Sequence, residues 1–200
     1  MLPLPPQAPR RNGRLSRRIA AILFRLLGWK VGGAIPDVPK CVVIGAPHTS
    51  NFDGLYALPA LLAMDLKISI LGKQSLFAIP VLAGLMRWLG VVPLDRSNAG
   101  GVVAASIETL RQSERLFLGI APEGTRQAAK QWKSGYWRIA RGAGVPILPA
   151  VLDYGRKEIR FLPLFYPTDD FAADQAALIA LYRGVRPKHP HRLSLPLRGE

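Results

Sequence analysis

The stretch Cys41-Val-Val-Ile-Gly-Ala-Pro-His-Thr-Ser-Asn-Phe-Asp53 decides how this chain folds. Its first half is apolar on consecutive positions, the pattern of a strand buried on both faces of a parallel sheet. Pro47 and the capping types Thr49, Ser50 and Asn51 then open a helix, predicted near 51–63. The stretch is therefore a strand-to-helix turn, and the same unit recurs along the chain. Apolar runs at 41–46, 67–71, 91–94, 116–120 and 146–152 read as strands, and helical patterns near 51–63, 75–88, 99–113 and 132–142 lie between them. Residues 151–161 read as strand, turn and strand, and 171–183 as a last helix. Such alternation predicts a single α/β domain over 37–183, with a largely parallel sheet flanked by helices and no internal repeat.

Outside that domain the chain is strongly basic. The net charge is +14, and residues 1–30 hold seven Lys or Arg and no acid, while residues 183–200 hold five against Glu200. A surface of this kind attracts phosphates, whether of nucleic acid, an anionic membrane or an acidic partner. Residues 1–9 are Pro-rich and are expected to be disordered. From Arg14 to Lys30 the residues Ile19, Ile22, Leu23, Leu26 and Leu27 follow helical spacing, with Arg14, Arg18 and Arg25 on another face. That helix either packs on the core or lies in a membrane interface, and its lack of any acid favours the interface. The N-terminal arm is thus assigned to 1–36 and a basic tail to 184–200. The apolar stretch from Ile19 is cut by Arg25 after six residues, unlike a secretory signal, and the longest uncharged run, Gln74 to Met86, has 13 residues. Both fall short of the ~20 residues of a membrane-spanning helix. The lone Cys41 heads an apolar run and reads as a buried thiol, which excludes an intrachain disulfide or Cys-based zinc site and fits a reducing compartment.

The chain has three histidines, and His189 and His191 lie in the basic tail. His48 stands apart, five residues before Asp53. On one continuous helix the two would point about 140° apart. With the helix starting between them, Asp53 in its first turn can accept the proton of one imidazole nitrogen and leave the other free as a base. Such a spacing also arises by chance, so its weight depends on what accompanies it. Ala121-Pro-Glu-Gly-Thr-Arg126 follows the strand at 116–120, and loops at the carboxyl ends of strands share the ligand-binding edge of an open α/β sheet. Gly124 permits close backbone approach, and Arg126 offers a planar fork of donors suited to phosphate. A third loop, Gly90-Val-Val-Pro-Leu-Asp-Arg96, again sets an Arg after an apolar strand, and a fourth, Val145-Pro-Ile-Leu-Pro-Ala150, enters one.

Over roughly residues 40–155 these blocks, in this order, resemble the glycerophospholipid acyltransferase family of the lysophosphatidate acyltransferase type. His48 and Asp53 match its H-x-x-x-x-D signature, Gly90–Arg96 the second block, Pro122–Arg126 the third and Val145–Pro149 the fourth. Lys73 and Lys133 match lysines the family places between blocks. Ala121, Gln127 and Pro93 depart from its commoner Phe, Ser and aromatic residues. The resemblance implies transfer of a fatty acyl group from a thioester, on CoA or acyl carrier protein, to the hydroxyl of a lysophospholipid, foremost 1-acyl-glycerol-3-phosphate. It implies His48 as base with Asp53 orienting it. Arg96, Glu123, Gly124, Thr125, Arg126 and Lys73 would bind substrate, with no metal and no cofactor beyond the thioester co-substrate. The enzyme would be cytoplasmic and peripheral on the inner face of an anionic membrane.

Rival readings fare worse. A serine hydrolase would need a G-x-S-x-G elbow, which is missing. A nucleic-acid-binding or membrane-binding module without catalysis would explain the charge. Yet no P-loop or zinc spacing occurs, and the basic arm carries an aliphatic face that nucleic acid does not need. An acyltransferase with a different acceptor remains the nearest alternative.

Overall fold

The computed structural model describes residues 2–94 and 99–199. Seven strands form one sheet: β1 (Lys30–Gly33), β2 (Lys40–Ala46), β3 (Ile68–Lys73), β4 (Val91–Leu94), β5 (Leu116–Ile120), β6 (Ile147–Asp153) and β7 (Glu158–Phe161). Their spatial order is β1-β7-β6-β2-β5-β3-β4. Every neighbouring pair is parallel except β6 and β7. The expected α/β class and largely parallel sheet are what the chain adopts.

Strand β2 lies at the centre, pairing Val42 with Leu118 of β5 and with Ile147 of β6. Its consecutive apolar residues divide between two cores because side chains alternate across a sheet. Val42 and Ile44 join Leu110, Tyr136, Ile139 and Leu178 on one face. Those partners come from α4 (Ala99–Gln112), α5 (Gly135–Ala143) and α6 (Phe171–Ala180). Cys41 and Val43 join Phe24, Trp29, Ala60 and Met64 on the other face, beneath α1 (Arg14–Leu26) and α2 (Phe52–Ala63). Burial pushes the Cys41 thiol well above its ordinary pKa, which keeps it protonated and inert. The remaining crossover, α3 (Pro80–Leu89), joins β3 to β4. The right-handed rule for parallel crossovers puts it on the α2 side. Arg11, just before α1, donates to the carbonyl oxygens of Leu89 and Trp88 at the end of α3.

Four expectations need correction. The helix predicted near 75–88 starts only at Pro80, after a 3-10 turn over Gln74–Phe77, because proline's fixed φ and missing N–H suit a first helical position. The helix predicted to run to Lys30 ends at Leu26, since Gly28 at φ 69° turns the chain and residues 30–33 form the edge strand β1. The proline-rich start is ordered: Ala8 is fully buried, Leu2 and Leu4 pack against the second core, and Arg10 bridges Leu66. The C-terminal end also packs on the domain. It forms a 3-10 turn at Pro190–Arg192 and the short α7 (Leu195–Arg198), with Ser194 and Leu197 buried.

Helix α1 shows three faces. Ala20 and Phe24 are buried against the domain, Arg14, Arg17, Arg18 and Arg25 project on a second side, and Leu15, Ile19, Ile22, Leu23 and Leu26 are exposed on a third. Leu26 is 79% exposed and Leu15 72%. Nearby α2 exposes Phe52 and Leu55, and the α3 segment exposes Ile79, Val81, Leu85 and Trp88. Among the described residues, no helix is long and apolar enough to cross a membrane.

Candidate active site

The carboxyl ends of β6, β2 and β5 lie side by side and carry the residues singled out in the sequence. After β2 the chain passes a cis Ala46–Pro47 peptide and enters α2 at Phe52, so His48 is on the loop and Asp53 in the first helical turn. Their side chains meet, with His48 Nδ1 2.9 Å from Asp53 Oδ2. The expected capping differs in detail. Asn51 occupies the N-cap without a side-chain bond, while Ser50 Oγ accepts from the Phe52 N–H and Thr49 Oγ1 from the His189 N–H.

Asp53 is 3% exposed, and both of its oxygens are occupied. Oδ2 also accepts from the Ser50 N–H at 3.0 Å, and Oδ1 accepts from the Tyr154 hydroxyl at 2.7 Å. Burial alone would raise its pKa, but the bonds from His48, Tyr154 and Ser50 outweigh burial and hold the carboxyl below its ordinary value. Asp53 is therefore an anion whose orientation is fixed from two sides. The pairing engages Nδ1 of His48 and leaves Nε2 as the nitrogen able to face a substrate. The His48 side chain is 25% exposed, enough for a ligand to reach it.

Glu123, on the loop after β5, is buried and turned inward. Its Oε2 accepts from the backbone N–H of His48 at 2.6 Å, and its Oε1 from the Ser194 hydroxyl at 3.0 Å. Burial raises its pKa, opposed by those two bonds. This carboxylate thus ties the third block to the His48 loop. Gly124 adopts φ +65°, and a Cβ there would meet Lys133 Cγ at 3.3 Å, which accounts for glycine. Thr125 Oγ1 accepts from the Gln127 N–H. Arg126 is half-buried, and its Nε is shielded from solvent without a hydrogen-bond partner among the described residues. A donor left this way can serve an incoming anion. Lys73 ends β3, in register with Leu94, and Arg96 lies outside the described residues.

Sequence reasoning missed Tyr154 and Ser194. Tyr154 directly follows β6 and could have been found by the sheet-edge rule that pointed to the other loops. Its ring is held at right angles to Trp29, centroids 5.0 Å apart, and to Tyr56 at 5.6 Å. Ser194 has no local sequence signal, since a buried contact across 71 residues leaves none.

Against known families, residues 33–153 match the model of the family described as Acyltransferase. The chain belongs to the acyltransferase family. The match takes in the His48, Glu123 and Tyr154-proximal strand ends on which the site is built. The acyltransferase chain is 31% identical over 139 residues to the 1-acyl-sn-glycerol-3-phosphate acyltransferase of Haemophilus influenzae, covering 64% of this chain and 56% of that protein. It is 30% identical over 111 residues to the chloroplastic 1-acyl-sn-glycerol-3-phosphate acyltransferase BAT2 of Brassica napus, covering 52% and 32%. The match thus spans about half or less of these curated relatives. Among solved structures, the 1-acyl-sn-glycerophosphate acyltransferase PlsC of Thermotoga maritima shares the fold. Its TM-score is 0.60 at 20% identity, over 84% of this chain and 75% of that one.

Proposed function

We propose that this acyltransferase moves a fatty acyl group from a thioester, on CoA or acyl carrier protein, to the free hydroxyl of 1-acyl-glycerol-3-phosphate. The His48–Asp53 pair at 2.9 Å carries this reading. His48 Nε2 takes the acceptor's hydroxyl proton as that oxygen attacks the thioester carbonyl. The carbon–sulfur bond of the resulting tetrahedral adduct then breaks, the imidazolium returns the proton to the departing thiolate, and the ester is released. Asp53 keeps Nδ1 protonated and stabilises the imidazolium, and a positioned base of this kind contributes ~10²–10⁴-fold. No acyl-enzyme is formed. Arg126, with its unpartnered Nε, suits the acceptor's phosphate, and Arg96 is assigned to the same task by its place in the second block.

The exposed apolar residues of α1, α2 and α3, beside the cations of α1, support docking on an anionic membrane, from which a lipid acceptor reaches His48. The reading is tested with His48→Ala, a change on a partly exposed loop. Acyl transfer from acyl-CoA to 1-acyl-glycerol-3-phosphate is expected to fall by at least ~10²-fold while the melting temperature stays near wild type. Near wild-type turnover would show that His48 is not the base.

A further inference from the structure

The segment from Arg186 to Arg198 straps the three strand ends that build the site. Its carbonyl at Arg186 accepts from the Tyr154 N–H after β6 at 2.8 Å. The His189 N–H reaches Thr49 Oγ1 beside His48, and Ser194 reaches Glu123 after β5 while accepting from Trp132 Nε1 at 3.3 Å. Leu195 N–H donates to Ala129 O at 2.9 Å, and Leu197 is anchored in the core. The strap's cations are therefore fixed relative to His48. Lys188 Nζ stands 5.2 Å from the Phe52 ring centre and 5.7 Å from that of Tyr154, over the residue that holds Asp53.

Arg192 has an Nε shielded from solvent with no hydrogen-bond partner among the described residues. His189 has its pKa lowered, first by desolvation and then by the charges of Arg192, His191 and Lys188, with Asp53 acting the other way. Among the described residues, no carboxylate ion-pairs with Lys188, His189 or Arg192. Lys188 and Arg192 place like charges around His189 without an ion-paired carboxylate, which disfavours further positive charge there. A bound anion relieves that repulsion.

We propose that Lys188, His189 and Arg192 form a second phosphate-binding wall of the site, one that takes a phosphate of the acyl thioester's carrier group. The inference rests on the acyl-transfer reading, in which two phosphate-bearing substrates meet at His48. Arg126 lies on the β5 side of His48 and Lys188 on the opposite, β6 side, with His189 at the β2 loop and Arg192 between it and Ser194, so the strap can hold a phosphate apart from the one that Arg126 takes.

The test is equilibrium titration of the full chain, as wild type, Lys188→Gln, Arg192→Gln and the double variant, with CoA, phosphopantetheine, pantetheine and lysophosphatidate. Thermal melts establish that each variant folds. Wild type is expected to bind CoA more tightly than pantetheine, and the double variant to lose about tenfold in CoA affinity, with pantetheine and lysophosphatidate affinities unchanged. A loss shared by CoA and phosphopantetheine places the wall on the phosphate next to pantetheine, and a loss for CoA alone places it on the nucleotide phosphates. Equal wild-type affinity for CoA and pantetheine, an undiminished CoA affinity in the double variant, or a loss confined to lysophosphatidate each overturns the proposal. Because the readout is binding, failure of the wild type to catalyse acyl transfer would refute the acyl-transfer reading and leave this result separate.

Discussion

At the scale of single residues, the site holds two buried carboxyl groups whose pKa values are shifted in opposite directions. Asp53, with three hydrogen-bond donors, has its pKa lowered against burial, whereas Glu123, with two, has its pKa raised by burial. Asp53 therefore contributes stability above the ordinary aspartate range near ~3.9, and loses it as pH falls through the lower folded value. Glu123 behaves oppositely: the contribution from its raised pKa is complete below the ordinary glutamate range and is lost as pH rises through the folded value. Tyr154→Phe isolates one of Asp53's donors, because the ring contacts to Trp29 and Tyr56 remain. Removing one of the donors that fix Asp53's orientation loosens the alignment of His48, so kcat/KM is expected to fall by about tenfold. Without Tyr154 Asp53 loses one of the bonds that lower its pKa, so the acid limb of the stability–pH profile should move to higher pH. An unchanged profile would make Tyr154 a packing residue only. Asp53→Asn retains the shape but loses control of the tautomer, so its kcat should fall by on the order of 10³-fold, measured beside an unchanged fold by circular dichroism.

At the scale of elements, the site depends on a contact that joins chain segments far apart. Ser194→Ala leaves Glu123 Oε1 without its donor in a buried setting, at a cost of about 1–3 kcal/mol, readable as a lower melting temperature. The variant should also lower kcat more than it raises KM, because Glu123 holds the His48 backbone N–H and not the substrate. A variant as stable and active as wild type would show that the strap does not brace the loop. Local signals explain which elements could be read beforehand. Central strand β5, buried along its middle, leaves an apolar run that marks Leu116–Ile120 to the residue, and the edge strand Val91–Leu94 is marked as well by its apolar run although Val92 is exposed. His48 and Asp53 were legible because five residues of sequence span a strand-to-helix turn. Edge strand β1, Lys-Val-Gly-Gly, carries almost no apolar signal and is defined by its pairing with β7 across more than a hundred residues. The strap is likewise fixed by distant partners, Thr49, Glu123 and Ala129, so its sequence read only as a basic tail.

At the scale of the whole molecule, the two sheet faces are treated differently. On one, α4, α5 and α6 bury their apolar residues in a core. On the other, α1, α2 and α3 bury one stripe and leave a second exposed, from Leu15 and Leu26 through Phe52 and Leu55 to Val81, 86% exposed, and Trp88. Isolated exposed apolar side chains need no partner, but a broad set on adjoining helices marks a contact surface. Phe52 is one residue before Asp53, so this surface reaches the sheet edge that carries the candidate site. Cations at an anionic surface contribute ~1 kcal/mol each and are screened within a Debye length of about 8 Å, whereas insertion of the aliphatic stripe persists in salt. Replacing Ile22 and Leu26, exposed and clear of the buried Ala20 and Phe24, by Asp should therefore leave the melting temperature unchanged while weakening flotation with anionic vesicles. Activity should fall more on acceptor embedded in those vesicles than on dispersed acceptor, and the residual binding should become steeply salt-dependent. Flotation unaffected by the double substitution would move the contact from α1 to the surface of α3, where Val81→Asp and Trp88→Asp provide the same measurement.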